Sequence, residues 1–112
     1  MSPVEQLCSG LTALPDVTQT ASRFGARGNP AWCIAGREFA HLHADDLLDL
    51  RLPRAIQAGL RAEPKARFRK GRSEWLELEF HTAGDVAHLL ALAREACAAA
   101  RQPPRISLTE SP

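Results

Sequence analysis

The sequence predicts an α+β fold, in which a mainly antiparallel sheet carries about three helices packed chiefly on one face. Residues 47–52 (LLDLRL) and 75–80 (WLELEF) alternate apolar and charged residues, which is typical of strands with one buried face. Apolar residues after Thr82 recur instead at helical spacing. The 112 residues leave room for one core. We therefore expect a single domain over residues 1–102, followed by a loosely ordered, proline-containing tail over residues 103–112.

The first helix is predicted from the residues that start it. Ser2 can act as the N-cap, Pro3 fits the first turn, and Glu5 can complete a capping box. Pro15 is expected to end this helix. Apolar side chains at helical spacing form its inward face: Val4, Leu7, Cys8 and Leu11.

Three strands and a short helix are expected in the middle of the chain. Residues 31–34 (AWCI) and 38–43 (EFAHLH) flank Gly36, which predicts two strands joined by a turn. Residues 47–52 follow, with the leucines on one face and the charged residues on the other: Leu48, Leu50 and Leu52 against Asp49 and Arg51. Pro53 can open a short helix that stops near Glu63, because Pro64 disfavours helical geometry in the residue before it.

The last strand and helix complete the sheet and its cover. Residues 75–80 place Leu76, Leu78 and Phe80 toward the core, so Trp75 must point away from it. Thr82 and Asp85 predict a capped helix start. The inward stripe of this helix is Val86, Leu89, Leu90, Ala93, Cys97 and Ala100.

Composition excludes several classes of protein. Fourteen basic and 13 acidic residues give a net charge of +1, so the chain as a whole does not attract nucleic acid or an anionic membrane. Three separated cysteines form no C-x-x-C motif, which argues against a disulfide framework and a structural zinc finger. No secretory signal, membrane segment or glycine-rich phosphate loop is visible. We expect a cytoplasmic protein with no membrane partner and no cofactor.

The expected hairpin register defines one candidate functional face. If Ala40 and Leu42 join the leucines in the core, a turn over residues 44–46 sets His41 opposite Asp49 and Phe39 opposite Arg51. Both histidines then share an open face of the sheet with these residues and with Trp75. Candidate ligand or partner residues on this face are Phe39, His41, His43, Asp49, Arg51 and Trp75.

The same residues resemble a family of small bacterial proteins known as luciferase domain proteins. The pattern consists of Gly36-Arg37-Glu38-Phe39, His41, His43, Asp49, Leu52-Pro53, Ala62, Pro64, Trp75 and Asp85, and the similarity spans roughly Phe24 to Arg101. Family members commonly carry two histidines after the proline and a Ser-Gly-Trp, where this chain has Lys65-Ala66 and Ser73-Glu74-Trp75. The resemblance implies no defined reaction. A flavin-dependent luciferase barrel needs about 250 residues, which this chain does not have.

Metal binding and acid–base catalysis are two alternatives for the histidines. His41 and His43 point the same way along a strand and can supply two metal ligands, with Asp49, Glu38 or His81 as a possible third. Glu38, however, lies at opposite parity to both histidines in a regular strand. For catalysis, Asp49 would orient His41, Arg51 would stabilise an anion, and Cys33 would be the nucleophile. A histidine–aspartate pair that only fixes the hairpin remains the simpler interpretation.

A third alternative is nucleic-acid binding by residues 61–72. This segment is rich in basic residues and contains Phe68, which could stack on a base. The candidate phosphate contacts are Lys65, Arg67, Arg69, Lys70 and Arg72. Glu74, Glu77 and Glu79 would repel phosphate, so this alternative is less favoured.

The favoured hypothesis is a non-catalytic binding or assembly module that uses the open sheet face. Aromatic residues such as Phe39 and Trp75 bury large areas where partners dock. A tryptophan side chain exposed to water is unusual on a small domain unless another molecule covers it. We therefore expect a homodimer or a small-molecule or protein partner.

Overall fold

The computed structural model of the chain describes residues 1–21 and 28–102. The expected tail, residues 103–112, lies outside this range. The elements in chain order are α1 (Pro3–Thr12), β1 (Thr18–Ala21), β2 (Pro30–Ile34), β3 (Arg37–Ala44), β4 (Leu47–Arg51), α2 (Arg54–Ala58), β5 (Ala66–Phe68), β6 (Trp75–Glu79) and α3 (Ala83–Arg101). In the described part of the chain, none of the helices combines the length and apolar content needed to cross a membrane.

The described strands form one antiparallel sheet in the order β1-β2-β3-β4-β6-β5. The α+β class, the antiparallel sheet and the three helices are as predicted from the sequence. The two edge strands, β1 and β5, were not predicted, because they are short and lack alternation of apolar and charged residues. The central pair β4 and β6 is linked through α2 and β5 rather than by a hairpin.

Capping boxes define the starts of the two longer helices. Ser2 Oγ accepts a hydrogen bond from the backbone N–H of Glu5, and Glu5 Oε1 accepts one from the backbone N–H of Ser2, as the sequence predicts. Thr82 and Asp85 repeat the same arrangement at the start of α3. The ends differ more from expectation: α1 stops at Thr12, before Pro15, and α2 stops at Ala58, before Glu63.

The face of the sheet that carries the leucines is covered by α1 and α3, and we call it the inner face. Leu48, Leu50 and Leu76 are completely buried there, together with Trp32. The side chains of α3 that reach this core are Val86, Leu89, Leu92, Ala93, Ala96 and Cys97. Of the stripe predicted for α3, Leu90 and Ala100 are only partly buried. The opposite, outer face carries the polar side chains of the same strands.

A tight turn joins β2 to β3. Ala35 has φ 52° and Gly36 has φ 76°, and Ile34 pairs directly with Arg37 across the turn. Positive φ at both central residues is the geometry whose twist suits a two-residue hairpin, and glycine adopts it without steric cost. This turn fixes the start of β3.

A bulge in β3 changes which side chains reach each face. Trp32 pairs with Ala40, but the next residue of β2, Cys33, pairs with Glu38, so Phe39 is an extra residue in β3. Phe39 is 1% exposed and packs in the core on the inner face. Its expected place on the open face was therefore wrong, because a regular strand alternates whereas the bulge turns two consecutive side chains inward.

Candidate functional site

The centre of the outer face is Asp49, which is completely buried. The expected pairing of His41 with Asp49 is confirmed, but the predicted turn over residues 44–46 is wrong: Ala44 pairs with Leu47, and an irregularity between Leu42 and Ala44 restores the register. Asp49 Oδ2 is 2.7 Å from His41 Nε2 and 3.0 Å from His43 Nδ1. One carboxylate oxygen therefore accepts from both histidines that the sequence singled out.

His41 is enclosed on both sides by carboxylates. Its Nδ1 lies 2.9 Å from Glu38 Oε2, and its ring is 4.8 Å from the ring of Trp75. Glu38 reaches the outer face because the bulge at Phe39 reverses the alternation, so the parity argument against it as a partner of the histidines does not hold. Since carboxylate oxygens only accept, this arrangement suits an imidazole that donates from both nitrogens.

The charge of Asp49 is held by its neighbours despite burial. Desolvation alone would raise the pKa of this carboxyl, but hydrogen bonds from His41 and His43, with Arg69 nearby, outweigh it. The pKa of Asp49 therefore lies below its ordinary value. Asp49 Oδ1 has no hydrogen-bond partner among the described residues.

The rim of this centre is formed by two further side chains, Glu77 and Arg69, beside His43. Glu77 lies directly opposite Asp49 on β6, and its Oε2 is 3.9 Å from His43 Nδ1. Arg69 Nη2 sits 3.4 Å from Asp49 Oδ1 and 3.8 Å from Glu77 Oε2. We call Glu38, His41, His43, Asp49 and Glu77 the histidine–carboxylate network.

A shallow groove of about 510 Å³ lies beside the network, and we call it the Trp75 groove. It is lined by Arg51, Arg54, Arg72, Ser73, Glu74 and Trp75. Gln57 on α2 donates to the carbonyls of Leu52 and Ser73, which ties α2 to the start of β6. Arg51 Nε donates to Glu74 Oε1 at 3.0 Å.

The predicted site residues separate into three places. His41, His43 and Asp49 meet in the network, and Arg51 and Trp75 line the groove. Phe39 is in the core. The outer face is also less open than expected, because His41 and Asp49 are buried and Trp75 is half-buried beside His41.

Two residues considered for the histidine alternatives, His81 and Cys33, do not join the network in the predicted roles. His81 Nε2 is 3.3 Å from Glu79 Oε2, at the end of β6. Cys33 faces the outer side in register with Glu38. His41 cannot serve Cys33 as a base in this arrangement, because both of its ring nitrogens face carboxylate oxygens.

The basic segment is largely tied to acidic residues of the same chain. Lys65 Nζ is 2.8 Å from both oxygens of Asp85, and Arg67 Nη2 is 2.6 Å from Glu79 Oε1. Phe68 packs against the core, with the Arg61 guanidinium 4.7 Å from its ring centre. Lys70 and Arg72 are exposed. The predicted nucleic-acid segment thus presents fewer free charges than its sequence suggests.

Two residues at this site were not predicted from the sequence: Glu77, which belongs to the network, and Arg69, which lies beside it. Alternation already placed Glu77 on the face away from the core, but its neighbour could not be inferred because β4 and β6 are distant in sequence. Arg69 follows an edge strand that sequence analysis did not identify. Cross-strand pairing of β6 with β4 was the missing information.

Comparison with protein families gives one match. The family profile described as "Luciferase domain" matches residues 36–96, which is more than half of the chain and contains the whole network. Comparisons with curated proteins and with solved structures find no match. The match agrees with the resemblance carried by the motif around His41 and His43. The chain therefore belongs to the luciferase domain family.

Proposed function

We propose that this protein is a non-catalytic binding domain that holds a small anionic ligand in the Trp75 groove. The observation that carries the proposal is that three arginines, Arg51, Arg54 and Arg72, line the same groove as the half-buried Trp75. Glu74 is the single carboxylate among the lining residues, so the groove is electropositive. Guanidinium groups match carboxylate and phosphate geometry, and an indole offers a flat apolar surface beside them.

Packing supports this groove as a prepared surface. Trp75 rests against His41, which is held between Glu38 and Asp49. A ring fixed in this way loses little conformational freedom when a ligand stacks on it. The groove volume of about 510 Å³ is in the range of small-molecule sites.

The occupied nitrogens of His41 favour binding over catalysis by that residue. A general base needs a free ring nitrogen within reach of the substrate, and both nitrogens of His41 face carboxylates at 2.7 and 2.9 Å. Acid–base chemistry remains a second candidate through His43. Its Nδ1 is held by Asp49 while its side chain is 47% exposed, which is the arrangement of an oriented histidine base.

The homodimer expected from Trp75 remains a separate prediction. Its premise was an indole left in water, whereas the ring is half-buried against His41. Light scattering over a concentration series measures the mass, and a mass that stays that of one chain at high micromolar concentration contradicts the dimer.

The two tryptophans allow a direct test of the binding proposal. Trp75 lines the groove, whereas Trp32 is buried on the inner face and donates to Thr12 Oγ1. In NMR spectra, titration with inorganic phosphate and with benzoate should shift the indole signal of Trp75 and leave that of Trp32 in place. Probe concentrations and a chelator are kept constant across variants.

Paired arginine variants separate groove binding from general charge. Arg51→Gln should weaken probe binding about tenfold, the effect of losing one charge-assisted contact. Arg67→Gln is the matched control, because Arg67 pairs with Glu79 outside the groove. Equal losses in both variants, or no shift of Trp75 in the wild type, would contradict the proposal. A shift with a single-stranded oligonucleotide but with neither small probe would favour nucleic acid.

A further inference from the structure

We propose that His43, Asp49 and Glu77 form a binding site for a divalent transition-metal ion. One ligand atom from each of these three residues lies within 4.8 Å of the other two. Nitrogen from imidazole and oxygen from carboxylate are the ligands that zinc and its neighbours accept in proteins. This site lies at the rim of the network and is distinct from the Trp75 groove.

The spacing of the three side chains suits metal coordination. Ligand atoms about 2.0–2.2 Å from a tetrahedral zinc ion are separated by about 3.3–3.6 Å from one another. His43 Nδ1 is 3.0 Å from Asp49 Oδ2 and 3.9 Å from Glu77 Oε2, so small side-chain movements reach this geometry. Three protein ligands leave one position of a tetrahedral ion open.

A buried oxygen supplies a second, independent observation. Asp49 Oδ1 is buried and accepts no hydrogen bond from any described residue. Glu77 lies directly opposite Asp49 in the ladder, and like charges in this position repel. A metal dication bonded to both carboxylates would satisfy this oxygen and oppose the repulsion at shorter range than Arg69, whose Nη2 is 3.4 Å from Asp49 Oδ1.

The neighbours of Asp49 resemble the support that metal ligands usually have. His41 Nε2 is 2.7 Å from Asp49 Oδ2, and Glu38 in turn holds His41 Nδ1. Such outer hydrogen bonds fix the orientation of a ligating carboxylate. We therefore assign His41 a positioning role, whereas the sequence suggested that it would be a ligand.

Arg69 is the competing cation at this position. Its Nη2 is 3.4 Å from Asp49 Oδ1 and 3.8 Å from Glu77 Oε2, beyond normal hydrogen-bond length, and its side chain is 43% exposed. A half-exposed arginine at this distance can swing into solvent when a dication binds. Removal of its charge should therefore strengthen metal binding.

The test is titration of the full chain, purified without a metal-affinity tag and freed of metal by chelator, with Zn²⁺ in a calorimeter. The wild type should bind one equivalent. His43→Ala and Glu77→Gln should each weaken binding at least tenfold, and Arg69→Gln should strengthen it several-fold. Co²⁺ in place of Zn²⁺ should give the visible absorption of a tetrahedral site.

Matched controls define the outcomes that overturn the proposal. His81→Ala removes a histidine of similar exposure, 49% against 47%, beside a different carboxylate. Glu74→Gln removes a carboxylate outside the site. Failure of the wild type to bind Zn²⁺, or equal weakening by His43→Ala and His81→Ala, contradicts the metal site. The change that phosphate causes in the Trp75 NMR signal is measured separately, in chelator-treated protein. The metal site and the anion-binding groove can therefore be contradicted independently of each other.

Discussion

On the inner face of the sheet, Leu48, Leu50 and Leu76 are buried under two helices. On the outer face, His41 and Asp49 are almost as fully buried, but their close partners are mainly charged or polar groups. Leucine burial stabilises the fold in proportion to the area removed from water. Burial of an ion pair costs desolvation that its attraction often only balances. The difference teaches that stability explains the inner face but not the outer one.

The largest expected effect comes from breaking the network at its middle. His41→Ala leaves Glu38 and Asp49 without their shared donor, and loss of one partner of a buried ionic group costs about 3–5 kcal/mol. Leu50→Ala on the inner face should cost a similar amount, about 2–5 kcal/mol, through a cavity. Urea unfolding measures both variants. A cost for His41→Ala below that of the exposed control His88→Ala would contradict the buried pairing.

A smaller effect is expected when the network is replaced as a unit. The triple variant Glu38→Met, His41→Leu and Asp49→Leu removes the buried charges together, and replacing a buried ionic triad by apolar residues is often neutral or stabilising by about 1–4 kcal/mol. Its free energy of unfolding should equal or exceed that of the wild type, while zinc binding is lost. By contrast, replacing Leu48, Leu50 and Leu76 together by polar residues should abolish folding. A triple variant that is severely unstable would mean that the network serves the fold.

The smallest effect concerns a charge near the inner face, at the start of α3. The hydrogen bonds from Lys65, with those from the backbone of His81 and Thr82, hold the pKa of Asp85 well below its ordinary value of 3.8. Because the folded pKa is depressed, the stabilisation is present above pH 3.8 and is lost as pH falls toward the folded value. Acid unfolding of Asp85→Asn should therefore depend less on pH than that of the wild type. A variant whose stability falls with pH as steeply as that of the wild type would contradict this contribution of Asp85.

The inner face was largely predictable because its signals are local. Alternation in residues 47–52 and 75–80 identifies the leucine rows, and the motifs at Ser2 and Thr82 identify two helix starts. Each of these signals depends on neighbours within a few residues. Most of the leucine core followed from them, but Phe39, Leu92 and Ala96 did not, and Leu90 and Ala100 are only partly buried where the stripe predicted them inward.

The candidate site was only partly predictable because it depends on contacts between distant strands. The hairpin register gave the pair His41 and Asp49. Glu77 joins them only through the β4–β6 pairing, and Arg69 only through the edge strand β5. No periodicity within a single segment encodes these contacts.

The bulge at Phe39 acts as a frame shift in the alternating pattern of β3. Before it, the even-numbered Glu38 faces outward; after it, the odd-numbered His41 does, so residues three apart cooperate on one side of a strand. One added residue thus lets a single strand bury a phenylalanine and assemble a polar cluster at once. For protein design, a Glu-x-x-His segment within a strand can place both side chains on one face, provided that the extra residue of the bulge has an apolar pocket to fill.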